Sequence, residues 1–183
     1  MDLQYPIGKF TWNRTGEGLL STEEERQQWI GEIEATPTWL KLAVEGLTEA
    51  QLDTPYRPGG WTVRQVVHHL PDSHLNAYTR FRLAMTEDEP TIKPYKEALW
   101  AQLDDARTAP AGISITLLTA LHQRWVMLMR SMKPQDFARA IQHPELGRVV
   151  LEKYVAMYAW HGKHHVTHVT GLRQRSGWKA ASA

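Results

Sequence analysis

The sequence predicts an all-α fold, a four-helix bundle with a long connection between its second and third helices. Three observations predict it. Four segments place apolar residues at three- and four-residue steps, the spacing of one helix face. No stretch alternates apolar and polar side chains over the length of a strand. Residues 86–112, rich in Glu, Asp, Pro and Lys, put too much chain between the second and third segments for a tight turn.

Residues 1–20 hold Pro6, Gly8, Gly16 and Gly18 among scattered aromatics and read as an extended arm lying over the body. Ser21 followed by Glu24 fits a capping box and opens the first helix, whose stripe is Trp29, Ile30, Ile33, Leu40, Ala43, Val44 and Leu47. Pro37 is expected to kink it. A short helical turn, Glu49 to Leu52, and a loop from Pro55 to Gly60 follow. Thr62 and Gln65 cap the second helix, which runs through Val63, Val66, Val67, Leu70, Tyr78, Phe81 and Met85. Pro71 removes a backbone donor there and predicts a local bend beside His69. The connection holds a short helix around Lys96 to Leu103. The third long helix spans about Ser114 to Met132, with Leu117, Leu118, Leu121, Trp125, Leu128 and Met129 on one face. Residues 134–150 read as a helical turn (Gln135 to Ala140) and a loop through His143, Pro144 and Gly147. The fourth helix starts near Leu151.

Composition narrows the function. The 183 residues suffice for one domain spanning 1–183 with a substantial core, and nothing resembles an interdomain linker. Charges nearly balance, 21 basic against 20 acidic, without a block of like sign, so neither nucleic acid nor an anionic membrane is an expected partner. No apolar stretch approaches spanning length and no leader is visible, so a cytoplasmic protein is expected. Cysteine is absent, which removes disulfides, thiolate ligands and a thiol nucleophile and leaves imidazole and carboxylate as metal chemistry.

The histidines are not spread evenly. Four of the nine fall in Trp160-His161-Gly162-Lys163-His164-His165-Val166-Thr167-His168, inside the fourth helix. His161 and His165 lie one turn apart on one face, and His164 and His168 make a second such pair on a neighbouring face. Spacing alone does not choose between them. Two imidazoles make half a site, so a third ligand must come from elsewhere. His68, His69 and His74 lie on the second helix, and His69, at the border of its apolar stripe, is placed to face the bundle interior.

Several stretches then converge on one family. Tyr5-Pro6-Ile7-Gly8, Gln51 through Arg57, the run from Gly59-Gly60-Trp61-Thr62-Val63-Arg64-Gln65 to Asp72-Ser73-His74, and the segment from Trp160 to His168 resemble the DinB/YfiT-like superfamily of metal-binding four-helix bundles. Pro71 departs from the alanine expected after His-His-Leu. The resemblance implies one divalent transition metal ion per chain, held by one histidine of the second helix and an H-x3-H pair of the last, here His69, His161 and His165. Helix geometry agrees, since 161 and 165 follow Tyr154 and Tyr158 along the inward stripe while 164 turns toward Lys163 and solvent.

A three-imidazole site keeps positions for water or substrate, whereas structural zinc is normally closed by four protein ligands. The expected function is therefore a metal-dependent enzyme acting on a small molecule: a hydrolase in which the ion activates water. A bacillithiol-type S-transferase, in which the ion activates a low-molecular-weight thiol, is the alternative that the resemblance also implies. A metal-stabilised binding or stress-response module is the non-enzymatic alternative. No H-E-x-x-H is present, because Gly162 follows His161. Zinc and nickel both suit imidazole. Asp72 and His168 are candidates to orient the ligands, with His68, His74 and His164 read as surface or supporting groups. Trp29, Trp61 and Trp125 read as core, and Trp100 as freer to line a pocket. Arg57, Arg64, Arg80 and Arg82 are read chiefly as surface ion-pairing groups. A homodimer is expected from the resemblance and from an arm too poor in apolar residues to fold alone.

Overall fold

The structure, a computed structural model, describes residues 2–15 and 20–178. Gly16 and Gly18 of the expected arm lie outside them. Four long helices form the bundle: α1 (Glu23–Val44), α3 (Val63–Thr86), α6 (Ala111–Ser131) and α7 (Leu151–Arg175). The short α2 (Glu49–Leu52), α4 (Glu97–Trp100) and α5 (Asp104–Thr108) lie in the connections. A 3-10 turn, Pro134–Ala138, leads into a hairpin of β1 (Ala140–His143) and β2 (Gly147–Val150). The expected bundle and its long connection between the second and third long helices are both present. α1 packs on α6 and α7, and α3 packs on the same two, so the consecutive helices α1 and α3 sit across the bundle's diagonal.

Sequence determines most of the boundaries. The capping box at the second long helix forms as expected, with Thr62 and Gln65 each bonding the other's backbone. At α1 the box is one residue later, Thr22 with Glu25, because Ser21 is taken up elsewhere: its amide and hydroxyl both donate to the buried carboxylate of Glu152 on α7. α1 and α3 continue through Pro37 and Pro71 without a break in the helix. A proline forfeits one hydrogen bond of the ladder. Both rings are buried, and Ile33 and Leu40 on one side and Leu70 and His74 on the other hold the flanking turns in the core.

The hairpin corrects the expectation of a plain loop over 140–150. Its strands are four residues each, too short for an alternating pattern to register. They pair antiparallel from Ala140 with Val150 to His143 with Gly147, which takes φ +68° at the turn. Gln142 also exchanges backbone bonds with Pro90 and Ile92, tying the hairpin to the start of the long connection. The arm lies on its own bundle: Gly8 accepts a hydrogen bond from the indole of Trp160, and Trp12 packs on Trp29.

Two apolar clusters fill the bundle. One, with Ile30, Ile33, Phe81, Trp125, Met129, Leu151 and Tyr154, occupies one end. The other, with Leu40, Val66, Val67, Leu70, Leu118, Val169 and Leu172, occupies the opposite end. On α7 the four histidines, and on α3 His74, fall between the residues of the two clusters, with His69 and His122 at the edges of that gap, so a polar layer crosses the middle of the core.

Candidate metal centre

Within that layer α3 brings His69, and α7 brings His161 and His165, to one point. One nitrogen from each ring lies within 4.8 Å of the others. The Nε2 atoms of His69 and His161 are 3.2 Å apart. Two imidazole lone pairs do not face each other at that distance without a proton or a cation between them. Two nitrogens bound to one tetrahedral zinc at 2.0–2.1 Å lie about 3.3 Å from each other, so the pair has the spacing of metal ligands.

Burial sets the protonation that ligation requires. It depresses the pKa of His69 to about 3, helped by the charges that His164 and His168 would carry. His161 and His165 are pushed well below the ordinary histidine value by burial first and by neighbouring imidazoles second. The three rings are therefore neutral, with a lone pair to offer, at any pH near 7.

The backbone of α7 can come this close to α1 only because residue 162 is glycine. A Cβ there would overlap Oγ1 of the buried Thr36 and lie 2.8 Å from its Cγ2. The missing glutamate of a zincin motif thus has a packing cause.

His168 supports His165 from behind. Its Nε2 lies 3.1 Å from the carbonyl oxygen of Gln4, to which it must donate, so its Nδ1 is the acceptor for Nδ1–H of His165 at 3.4 Å. Nε2 of His165 is then left for the centre. His164, His165 and His168 also place nitrogens within 4.8 Å of one another. That second trio competes for His165, and the bond between His165 and His168 already occupies a nitrogen of each.

The site opens into a cavity of about 390 Å³ lined by the three histidines, Tyr5, Tyr56, Arg57, Trp61, Glu97 and Trp160 among others. Trp61 stands 4.7 Å from the ring of His69 and is only half-buried, so it is a wall of the cavity rather than plain core. Trp125 is core as expected. Trp100 lines a different groove with Tyr95 and Leu103.

The structure does not leave His68, His74 or His164 at the surface. His68 is buried, bonding Ser114 and the carbonyl of Ala109. His164 is buried rather than turned to solvent, stacked on Trp160 at 4.4 Å beneath Tyr5 of the arm, and its Nδ1 has no hydrogen-bond partner among the described residues. The arm, which sequence periodicity does not place, is the reason. His74 lies 3.1 Å from His161, and behind it is His122, which sequence reasoning missed because it stands alone on α6. Asp72 does not line the cavity. Burial and Asp105 raise its carboxyl to about 6, and among the described residues no imidazole bonds it. Arg64 is buried and bonded to Asp53 and Glu49, a structural role. Glu97 is not singled out by sequence, because nothing in the connection's composition tells which of its carboxylates borders the cavity.

Residues 24–169 match the family model described as the DinB superfamily. The chain belongs to the DinB superfamily. Members from Bacillus mycoides (strain KBAB4) and Bacillus cereus (strain 03BB102), both named as putative metal-dependent hydrolases, are 52% and 51% identical to it over 177 residues. Each alignment covers 97% of this chain and 99% of the relative. Among solved structures, YfiT from Bacillus subtilis, described as a probable metal-dependent hydrolase with an unusual four-helix bundle topology, superposes with a TM-score of 0.92 at 46% identity. That match covers 98% of this chain and all of YfiT. A further solved four-helix bundle, 16% identical with a TM-score of 0.54, shares the fold alone. No helix among the described residues is long and apolar enough to cross a membrane.

Proposed function

We propose that this DinB-superfamily chain is a metal-dependent hydrolase in which His69, His161 and His165 hold one divalent transition metal ion, zinc or nickel. The observation that carries the reading is the convergence of three neutral imidazoles from two helices within 4.8 Å at the base of a cavity. The names of the relatives support it. The bound ion supplies Lewis acidity, sufficient in such sites to bring the pKa of a water to about 7.

The chain's own groups supply the rest. Trp61, Tyr56 and Trp160 wall the cavity with apolar surface that displaces bulk water from a bound substrate. Arg57, whose guanidinium bonds the Tyr56 hydroxyl and the Pro58 carbonyl but no carboxylate among the described residues, faces the same space and would hold a developing oxyanion or an acidic substituent. Glu97 is the only carboxylate among the lining residues described and would exchange a proton with the reacting water or leaving group.

The test is a panel assay of zinc- and nickel-loaded protein against esters and amides, with thiol-plus-electrophile pairs, bacillithiol among them, in parallel. Ester or amide turnover that a chelator abolishes, metal restores and His161→Ala loses is the expected result. Turnover of the thiol pairs alone would replace hydrolysis with thiol transfer. No turnover at all, with a metal holding no exchangeable water, would make the protein a binding module.

A further inference from the structure

His161 is not simply buried behind the site. Its Nδ1 lies 3.1 Å from Nε2 of His74, whose Nδ1 lies 2.8 Å from Nε2 of His122, whose Nδ1 lies 2.5 Å from the backbone carbonyl oxygen of Ile33. Three helices, α7, α3 and α6, each give one ring, and a fourth, α1, gives the carbonyl. His74 is fully buried and His122 nearly so. The rings packed on them are those of Trp125, Tyr158 and His161, none of which carries a charge that would favour imidazolium.

The polarity of this chain of bonds is fixed at one end. A carbonyl oxygen only accepts, so Nδ1 of His122 carries the proton. A neutral imidazole has one N–H, which makes Nε2 of His122 an acceptor and requires Nδ1–H on His74. By the same step Nε2 of His74 accepts and Nδ1 of His161 carries the proton. The lone pair of His161 is then on Nε2, the atom that faces Nε2 of His69. With the opposite polarity, Nδ1 of His122 would present a lone pair to the lone pairs of the Ile33 oxygen, a buried repulsive contact.

We infer that His74 and His122 are positioning residues: a two-histidine relay anchored on the Ile33 carbonyl that sets the tautomer of His161 and reserves its Nε2 for the metal. The functional half of this inference rests on the metal reading of the site, while the tautomer half stands on the hydrogen bonds alone. Metal-ligating histidines commonly donate their second N–H to a carboxylate, which lends the ion negative charge. Here the relay ends on a neutral carbonyl, so it orients the ligand and leaves the positive charge of an ion undiminished.

Imidazole nitrogen NMR of the metal-free wild-type protein reads the tautomers directly. His161, His74 and His122 are each expected as the Nδ1–H form. His122→Phe keeps the ring volume and removes both nitrogens. In that variant His161 should become a mixture of tautomers, and zinc affinity should fall about 10- to 100-fold, the usual effect of losing an outer partner. His122→Gln, whose amide can donate to Ile33 and accept from His74, should recover part of the affinity, which a purely volume-filling role would not. Circular dichroism confirms that each variant is folded, and the wild-type spectrum decides the tautomer if a variant is not. An Nε2–H tautomer of His161 in the wild type, or a folded His122→Phe that binds zinc as tightly as wild type, overturns the relay. A wild type that shows the Nδ1–H tautomers yet takes up no metal would instead bring down the metal reading and leave the hydrogen-bonded chain standing.

Discussion

Replacing Gly162 by alanine tests whether the close approach of α1 and α7 builds the site. Alanine in a helix interior is favoured over glycine by about 1 kcal/mol, so an unobstructed substitution would stabilise the protein. Here the new methyl meets Oγ1 of Thr36, with Cγ2 at 2.8 Å and Cβ at 3.2 Å. Thr36 is fully buried, its hydroxyl donates to the Glu32 carbonyl at 2.8 Å, and a β-branched side chain in a helix has few rotamers to retreat to. Rotation exchanges Oγ1 and Cγ2 but does not move Cβ, so the helices must part. Overpacking of this kind costs about 1–3 kcal/mol, which leaves a net loss of up to about 2 kcal/mol after the helix preference of about 1 kcal/mol. A domain of this length then melts lower by up to roughly 8 °C. Differential scanning calorimetry of the metal-free protein measures it. Thr36→Ala in the Gly162→Ala background removes two of the three obstructing atoms and should return most of the lost melting temperature. A Gly162→Ala protein that melts at or above wild type, or a double variant no better than the single one, would refute the reasoning.

Stability of the metal-free protein should fall as pH drops from about 6.5 toward 4. The folded imidazoles resist protonation and the unfolded ones accept it, so the unfolded state binds more protons throughout that window and stability rises with pH across it. His122 alone, lowered from 6.5 to about 4 by burial, accounts for about 3 kcal/mol at 1.36 kcal/mol per unit. Urea unfolding at pH 7.5 and 4.5 checks the sign, and equal stabilities would contradict it. His168→Ala should weaken zinc binding about 10- to 100-fold by freeing the His165 ring, while His164→Ala should leave it unchanged; competition with a chelating dye measures both. The expected homodimer rests on resemblance alone, because the arm packs on its own bundle, and light scattering at micromolar concentration should show twice the chain mass if it holds.

The parts of the fold that sequence made legible are those whose signal is local. The apolar stripes of the four long helices and the Thr62–Gln65 box depend on neighbours three or four residues away, and each appears within a few residues of its expected place. The hairpin and the Thr22 box depended on contacts far along the chain, Gln142 with Pro90 and Ser21 with Glu152, which no window of sequence contains. The same division runs through the candidate site. His161 and His165 announce themselves by an i, i+4 spacing, and family resemblance adds His69. His122 stands 48 residues from its hydrogen-bond partner His74 and 89 from Ile33, so its role is invisible until the helices pack. Burial of His164 escaped for a related reason: its cover is the arm, whose Tyr5 has no periodic pattern to place it.

Metal content tests the central claim most directly. Protein purified without chelator, or reconstituted with zinc or nickel and desalted, is analysed for metal per chain alongside His69→Ala, His161→Ala and His165→Ala. Three imidazoles at one point predict about one ion per wild-type chain and near zero in each variant, since two imidazoles hold a divalent ion far more weakly than three. A wild type that neither carries nor takes up metal would contradict the account, as would a His161→Ala protein that keeps its ion while His164→Ala loses it.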